Sequence, residues 1–143
     1  MIIDLNLILE SFPLMLKGLG VTLQLLFIAG FCGLILAILI LLMRISGKWY
    51  LNYPAQIYIF VFRGTPILVQ IFIIYYGLPQ FGFIRNSIVW PLLREPMGCA
   101  IVALSLNTGA YVSEILRGGV LGVGKGLLEA GSALGMTAYQ KFI

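Results

Sequence analysis

Between Lys17 and Arg44 the chain carries no charged residue, and residues 18–43 are dominated by Leu, Ile, Phe, Ala and Gly. A helix needs about 20 apolar residues to cross the hydrocarbon of a bilayer, so this run is long enough by itself. Inside lipid every backbone N–H and C=O must be satisfied within the chain, which leaves helices or a closed barrel. An uninterrupted apolar run, as opposed to short alternating segments, selects the helix. Gly20, Gly30 and Gly33 interrupt the larger side chains, and in a membrane helix such residues mark close packing against a neighbour. The run is too long for the core of a secretory signal, and Met1-Ile2-Ile3-Asp4 lacks a basic lead, so the segment is expected to remain in the mature protein.

The rest of the chain agrees with a membrane solvent. Hydrophobic residues make up 61% of it and charged residues 10%, against roughly a quarter charged in soluble domains. The nine Lys and Arg are scattered singly between apolar segments, so the formal charge of +4 reflects membrane topology and no nucleic-acid partner is expected. The chain has no His, and its carboxylates at Asp4, Glu10, Glu95, Glu114 and Glu129 form no close pair in sequence. Neither an enzyme, a metal site nor a cofactor is expected. Cys32 and Cys99 lack the local partners of a zinc or redox motif and read as small buried hydrophobes.

The expected fold is all-α, a single polytopic transmembrane domain over residues 1–143. Its spans lie at about 18–43, 53–80 and 97–117, and a cytoplasmic loop follows at about 118–143. The second span is interrupted by Arg63-Gly64-Thr65-Pro66. Pro66 suits a first helical position and Thr65 can cap the amides before it, so a helix should restart there and run toward Leu78-Pro79. Residues 82–96, with Arg85, Arg94, Trp90 and two prolines, read as an external loop with an aromatic interface anchor. The glycines at 118, 119, 122, 124 and 126 predict the end of the third helix and a turn. Residues 127–134 then form a short helix closed by a left-handed Gly135.

With the N-terminus outside, Arg44, Lys48, Arg63, Arg117, Lys125 and Lys141 fall inside and outnumber Lys17, Arg85 and Arg94 outside. The positive-inside rule therefore puts the N-terminus outside and the segment around Glu129 in the cytoplasm.

Asn107, Tyr111 and Glu114 recur at i, i+4 and i+7 with Thr108 beside them, a polar stripe on one helix face. Such a stripe faces protein or a watery cavity, and an intramembrane carboxylate is by default a candidate functional group. The competing reading pairs Glu114 with Arg117 or Arg63 and has Asn107 bond a neighbouring helix. Arg63 either snorkels at the cytoplasmic boundary or forms an ion pair with Glu114 that ties two spans together.

Two strings carry a family resemblance. Phe62-Arg63-Gly64-Thr65-Pro66-Ile67-Leu68-Val69-Gln70 and the run from Leu104 to Gly119, with Ala110-Tyr111-Val112-Ser113-Glu114-Ile115-Leu116-Arg117-Gly118 at its centre, resemble the polar amino-acid branch of ABC importer permeases. The match extends over about residues 22–142. Glu129-Ala130-Gly131, with Gly135 six positions after Glu129, resembles the first part of the cytoplasmic loop that couples such permeases to their ATPases. The family's following Ile and Leu-Pro would lie past Ile143, so the chain reads as the front part of a longer permease.

The resemblance implies a bacterial inner-membrane importer subunit that works by alternating access. Its partners would be ATP-binding-cassette ATPase subunits, an extracytoplasmic amino-acid-binding protein and a second permease chain within the lipid bilayer. Asn107, Thr108, Tyr111 and Glu114 would then line the substrate path, with Glu114 favouring a cationic substrate. Arg63, Thr65 and Pro66 would shape that path, and Glu129, Ala130, Gly131 and Gly135 would couple to the ATPase. No Gly-x-x-x-x-Gly-Lys-Ser/Thr motif occurs, so the motor would be another polypeptide. The alternative from another class is a non-transporting membrane remnant or scaffold, and a third reading is a secondary transporter built on the Arg63–Pro66 break.

Overall fold

The computed structural model describes residues 5–137 and Gln140, and the regular elements among the described residues are all helices, with no strand. The first helix, α1, runs from Leu5 to Ile45 through Pro13 and is about 60 Å long at 1.5 Å per residue. It thus reaches well beyond the charge-free stretch at its N-terminal end. A charge marks where lipid gives way to water but breaks no backbone hydrogen bond, so the helix carries on through Lys17. It stops where Ser46 and Gly47 follow, Gly47 adopting a left-handed φ of 70°.

The second long helix, α6, spans Pro96–Gly122 and starts from a non-helical Glu95 with Pro96 in its first turn. α1 and α6 lie side by side in the same direction: Gly33 meets Thr108, Leu36 meets Gly109, and Arg44 meets Glu114. Small residues make this possible. Ala29, Gly33 and Ala37 on α1 are buried at four-residue spacing, and so are Ser105, Gly109 and Ser113 on α6. A Cβ on Gly33 would stand 2.7 Å from Cβ of Thr108, inside contact distance, so glycine there sets the helix separation. Gly20 and Gly30 face open space instead.

Between these helices the chain folds into a broken pair. α2 (Trp49–Gly64) is followed by α3 (Ile67–Phe72), a π-helical turn over Ile73–Gly77 and a 3-10 turn over Leu78–Gln80. The two halves meet at 107°, so the stretch read as one span at 53–80 is a sharply bent element. Pro66 precedes the new helix: its carbonyl accepts from Val69 and Gln70, and Ile67 is the first helical residue. Thr65 provides no cap. Its Oγ1 donates back to the Val61 carbonyl at 2.8 Å, closing α2.

At the far end, α4 (Gly82–Arg85) and α5 (Trp90–Leu93) give the expected loop short helices of its own. There Ile74, Leu93, Cys99 and Ala103 form a buried cluster against which Trp90, Ile71 and Tyr75 pack. The described residues hold two helices long and apolar enough to cross a membrane, in Ser11–Ile45 and Pro96–Gly122, and a third crossing if the bent pair counts as one.

α6 does not end at the glycine string. It runs through Gly118 and Gly119 to Gly122, because a helical glycine costs only about 1 kcal/mol and leaves the hydrogen-bond ladder intact. The turn comes at Val123 and Gly124, and α7 (Lys125–Ala133) follows. Gly135 with φ 75° ends α7 in a Schellman motif, Gly135 N donating to Ser132 O and Met136 N to Gly131 O, both at 3.0 Å.

Candidate functional site

The charged groups meet where α1, α2 and α6 converge. Glu114 receives Arg117 Nη2 at 2.7 Å and Arg117 Nε at 3.0 Å from its own helix, and Arg44 Nε at 3.2 Å from α1. Arg44 also donates through Nη1 to Asn52 Oδ1 on α2 at 2.5 Å, so one guanidinium joins three helices. The side chains of Arg44 and Glu114 are only 14% and 17% exposed. A carboxylate so enclosed needs compensating charge, and here two arginines supply it.

Arg63 forms no ion pair with Glu114. Its guanidinium lies over the Tyr111 ring, 5.2 Å from the centroid, while Tyr111 Oη donates to the Arg63 carbonyl at 3.5 Å. Both side chains border a cavity of about 540 Å³, with Arg44, Gln56, Phe60 and Glu114 on the same wall. Arg63 therefore lies beside Tyr111, one helical turn from Glu114 along α6.

The polar stripe on α6 is divided among different surroundings. Tyr111 and Glu114 line the charged cavity. Thr108 faces α1, against Gly33 and beside a second, mainly apolar groove of about 400 Å³. Asn107 turns to the bend, where Nδ2 donates to the Phe62 carbonyl at 3.2 Å and to Gln70 Oε1 at 3.3 Å.

Gln70 is the centre of that bend. It is buried, and its Nε2 donates to Phe62 O at 2.9 Å, Thr65 O at 3.0 Å and Thr65 Oγ1 at 2.8 Å. Phe62 O and Thr65 O are carbonyls that the break at Pro66 leaves without helical partners. Tyr58 adds a further tie from α2, its hydroxyl donating to Leu106 O at 2.5 Å.

Arg44, Asn52, Tyr58 and Gln70 were not singled out from sequence. Arg44 was visible as the first charge after the apolar run, and Gln70 as a lone amide in an apolar helix. The second is the stronger signal, since a buried amide must find partners. Glu129 and Ala130 are exposed on α7, Gly131 is buried, and Leu127 and Leu134 stand out at 75% and 82% exposure. No cluster of metal-ligating side chains occurs among the described residues.

The sequence pattern of a family described as "binding-protein-dependent transport system inner membrane component" matches residues 29–143. The octopine transport system permease protein OccM of Rhizobium meliloti is 50% identical over 93% of this chain and 54% of its own length. The arginine transport system permease protein ArtQ of Bacillus subtilis is 40% identical over 94% of this chain and 58% of its own. A solved structure described as "Crystal structure of an amino acid ABC transporter with histidines" superposes with a TM-score of 0.78 at 38% identity, covering 99% of this chain and 62% of that one. The chain spans little more than half the length of these curated relatives.

Proposed function

The chain belongs to the family of binding-protein-dependent transport system inner membrane components, in its polar amino-acid branch, and on that basis we propose that it forms part of the membrane pathway of an ATP-driven importer for polar amino acids or their conjugates. The observation that carries this reading is the cavity where α1, α2 and α6 converge, which Arg44, Gln56, Arg63, Tyr111 and Glu114 line together. A zwitterion crossing hydrocarbon needs such donors and acceptors in place of its water shell. The arginine permease among the relatives, and the similar solved structure described as an amino acid transporter, support a polar amino acid as substrate.

In this reading the N-terminus is outside, α7 lies in the cytoplasm as the coupling element, and an ATPase subunit receives its exposed leucines and Glu129. Closure of the ATPase pair on ATP moves α7, and α6 transmits the movement to the cavity wall. The Arg44–Glu114–Arg117 cluster makes α1 and α6 travel together. A second permease chain completes the pathway, and an extracytoplasmic binding protein delivers the substrate.

The test is reconstitution in proteoliposomes with candidate ATPase and binding-protein subunits from the same organism. ATP hydrolysis should rise when one polar amino acid or conjugate is supplied with the binding protein. An ATPase rate indifferent to every such compound, or failure of any ATPase to co-purify, would overturn the transport reading in favour of a membrane scaffold. Uptake that persists without ATP but collapses with the ion gradient would favour a secondary transporter.

A further inference from the structure

We propose that Arg63 is the residue that receives the substrate's carboxylate, and that Glu114 does not select for cations. This rests on the permease reading and names the chemistry of its cavity. Glu114 is saturated: its two oxygens take donors from Arg117 and Arg44, so a cationic ligand would have to displace an arginine already held at 2.7–3.2 Å. The negative charge expected to attract a cation is therefore committed to joining α1 and α6.

Arg63 has the opposite character. It is exposed on the cavity wall, its guanidinium finds no hydrogen-bond acceptor among the described residues, and the Tyr111 ring beneath it provides only a cation–π contact. That contact engages the face charge of the guanidinium and none of its N–H donors, which leaves them for a carboxylate, the anion an arginine can bind through two parallel bonds. Taken together, Arg44, Arg63 and Glu114 give the cavity wall a net positive charge. Gln56 donates one amide N–H to Asn52 Oδ1 at 3.3 Å and has its oxygen for a donor such as an α-ammonium. The wall therefore distinguishes the two ends of a zwitterion, with the carboxylate end held by the stronger group.

The probe pair is L-arginine and agmatine, which differ by the carboxylate alone, used with the full chain in nanodiscs of zwitterionic phospholipid. L-arginine should bind and be displaced by L-glutamine, whereas agmatine should bind about ten- to hundredfold more weakly, the range of one lost charge-assisted hydrogen bond. Arg63→Gln should remove that preference and Arg63→Lys should restore part of it. Because the probe comparison is made on the unaltered chain, it does not depend on the variants folding. Agmatine binding as well as L-arginine, no binding of either amino acid, or preserved discrimination in Arg63→Gln would each overturn the proposal. So would displacement of L-arginine by anionic phospholipid at equal concentration, which would assign Arg63 to a lipid phosphate. Substrate-stimulated ATP hydrolysis unaltered in Arg63→Gln would sink this inference and leave the transport reading standing, whereas specific L-arginine binding without coupling to an ATPase would do the reverse.

Discussion

Arg44 is the side chain whose loss should be felt most widely, because its guanidinium bonds Glu114 on α6 and Asn52 on α2 from its own place on α1. Breaking a mostly buried ion pair by removing one partner costs about 3–5 kcal/mol, since the remaining charge is stranded. Arg44→Ala still leaves Arg117 on Glu114, so its cost should sit at or below the lower end of that range. Glu114→Ala strands two cations and should cost more. A double-mutant cycle on Arg44→Ala and Glu114→Ala, followed by unfolding in detergent micelles, should give a coupling of about 0.5–3 kcal/mol. Strict additivity would mean that the pair contributes nothing to holding α1 on α6. Sequence spacing made Arg117, three residues along the same helix, an obvious partner for Glu114. It could not reveal Arg44, seventy positions away, because that contact exists only once the small residues at Gly33 and Gly109 have let α1 and α6 close together.

The bent pair carries two kinds of information, one local and legible in the sequence, the other tertiary. Pro66 cannot donate to a helix, so the break near Arg63–Pro66 follows from the residue itself. The 107° angle does not follow from Pro66. At the bend Gln70 bonds the freed carbonyls and accepts from Asn107 on α6, partners that its place as a lone amide in an apolar run does not reveal. Gln70→Leu should therefore leave the break and loosen the angle. Spin labels at Ile57 and Ile73, both exposed and one on each side of the bend, should report a narrow distance distribution in the parent and a broader, longer one in the variant. Identical distributions would show that packing alone fixes the bend. In α7 the sequence goes further, because the left-handed end at Gly135 is a property of one residue and its local bonds. Gly135→Ala puts a side chain where φ is 75°, at about 1–2 kcal/mol. Amide exchange at Gly135 and Met136 should then quicken roughly 5- to 30-fold, with Val112 in α6 unchanged. Equal rates at all three would mean that the cap does not stabilise α7. The continuation of α6 through Gly118 and Gly119 marks the limit of such local reasoning, since intrinsic propensity is a weak prior against a helix already anchored by packing.

At the scale of the whole molecule the open quantity is orientation, and the fold alters the argument for it without changing its sign. Counting Lys and Arg put Arg63 on the inner side, yet its guanidinium lies over Tyr111 beside the cavity, a turn away from Glu114 along α6. It belongs in neither flanking loop and should be left out of the count. Arg44, Lys48, Arg117, Lys125 and Lys141 still outnumber Lys17, Arg85 and Arg94. α1 and α6 run in parallel, so the Arg44 end of α1 and the Arg117 end of α6 must face the same side of the membrane, which concentrates the basic residues there. The N-terminus should thus be outside, the α4–α5 connection outside and α7 inside. Ile88 is 97% exposed in that connection, and Glu129 is exposed on α7, so each accepts a reporter cysteine once Cys32 and Cys99 are replaced by Ala. A membrane-impermeant maleimide should label Ile88→Cys in intact cells, and Glu129→Cys only after the membrane is opened. The reverse pattern would place α7 outside, where no ATP-driven motor could reach it, and would remove the physical basis for coupling. Labelling of both sites in intact cells would mean that α6, the helix between them, does not cross the bilayer, so that α1 and α6 could not be two parallel crossings.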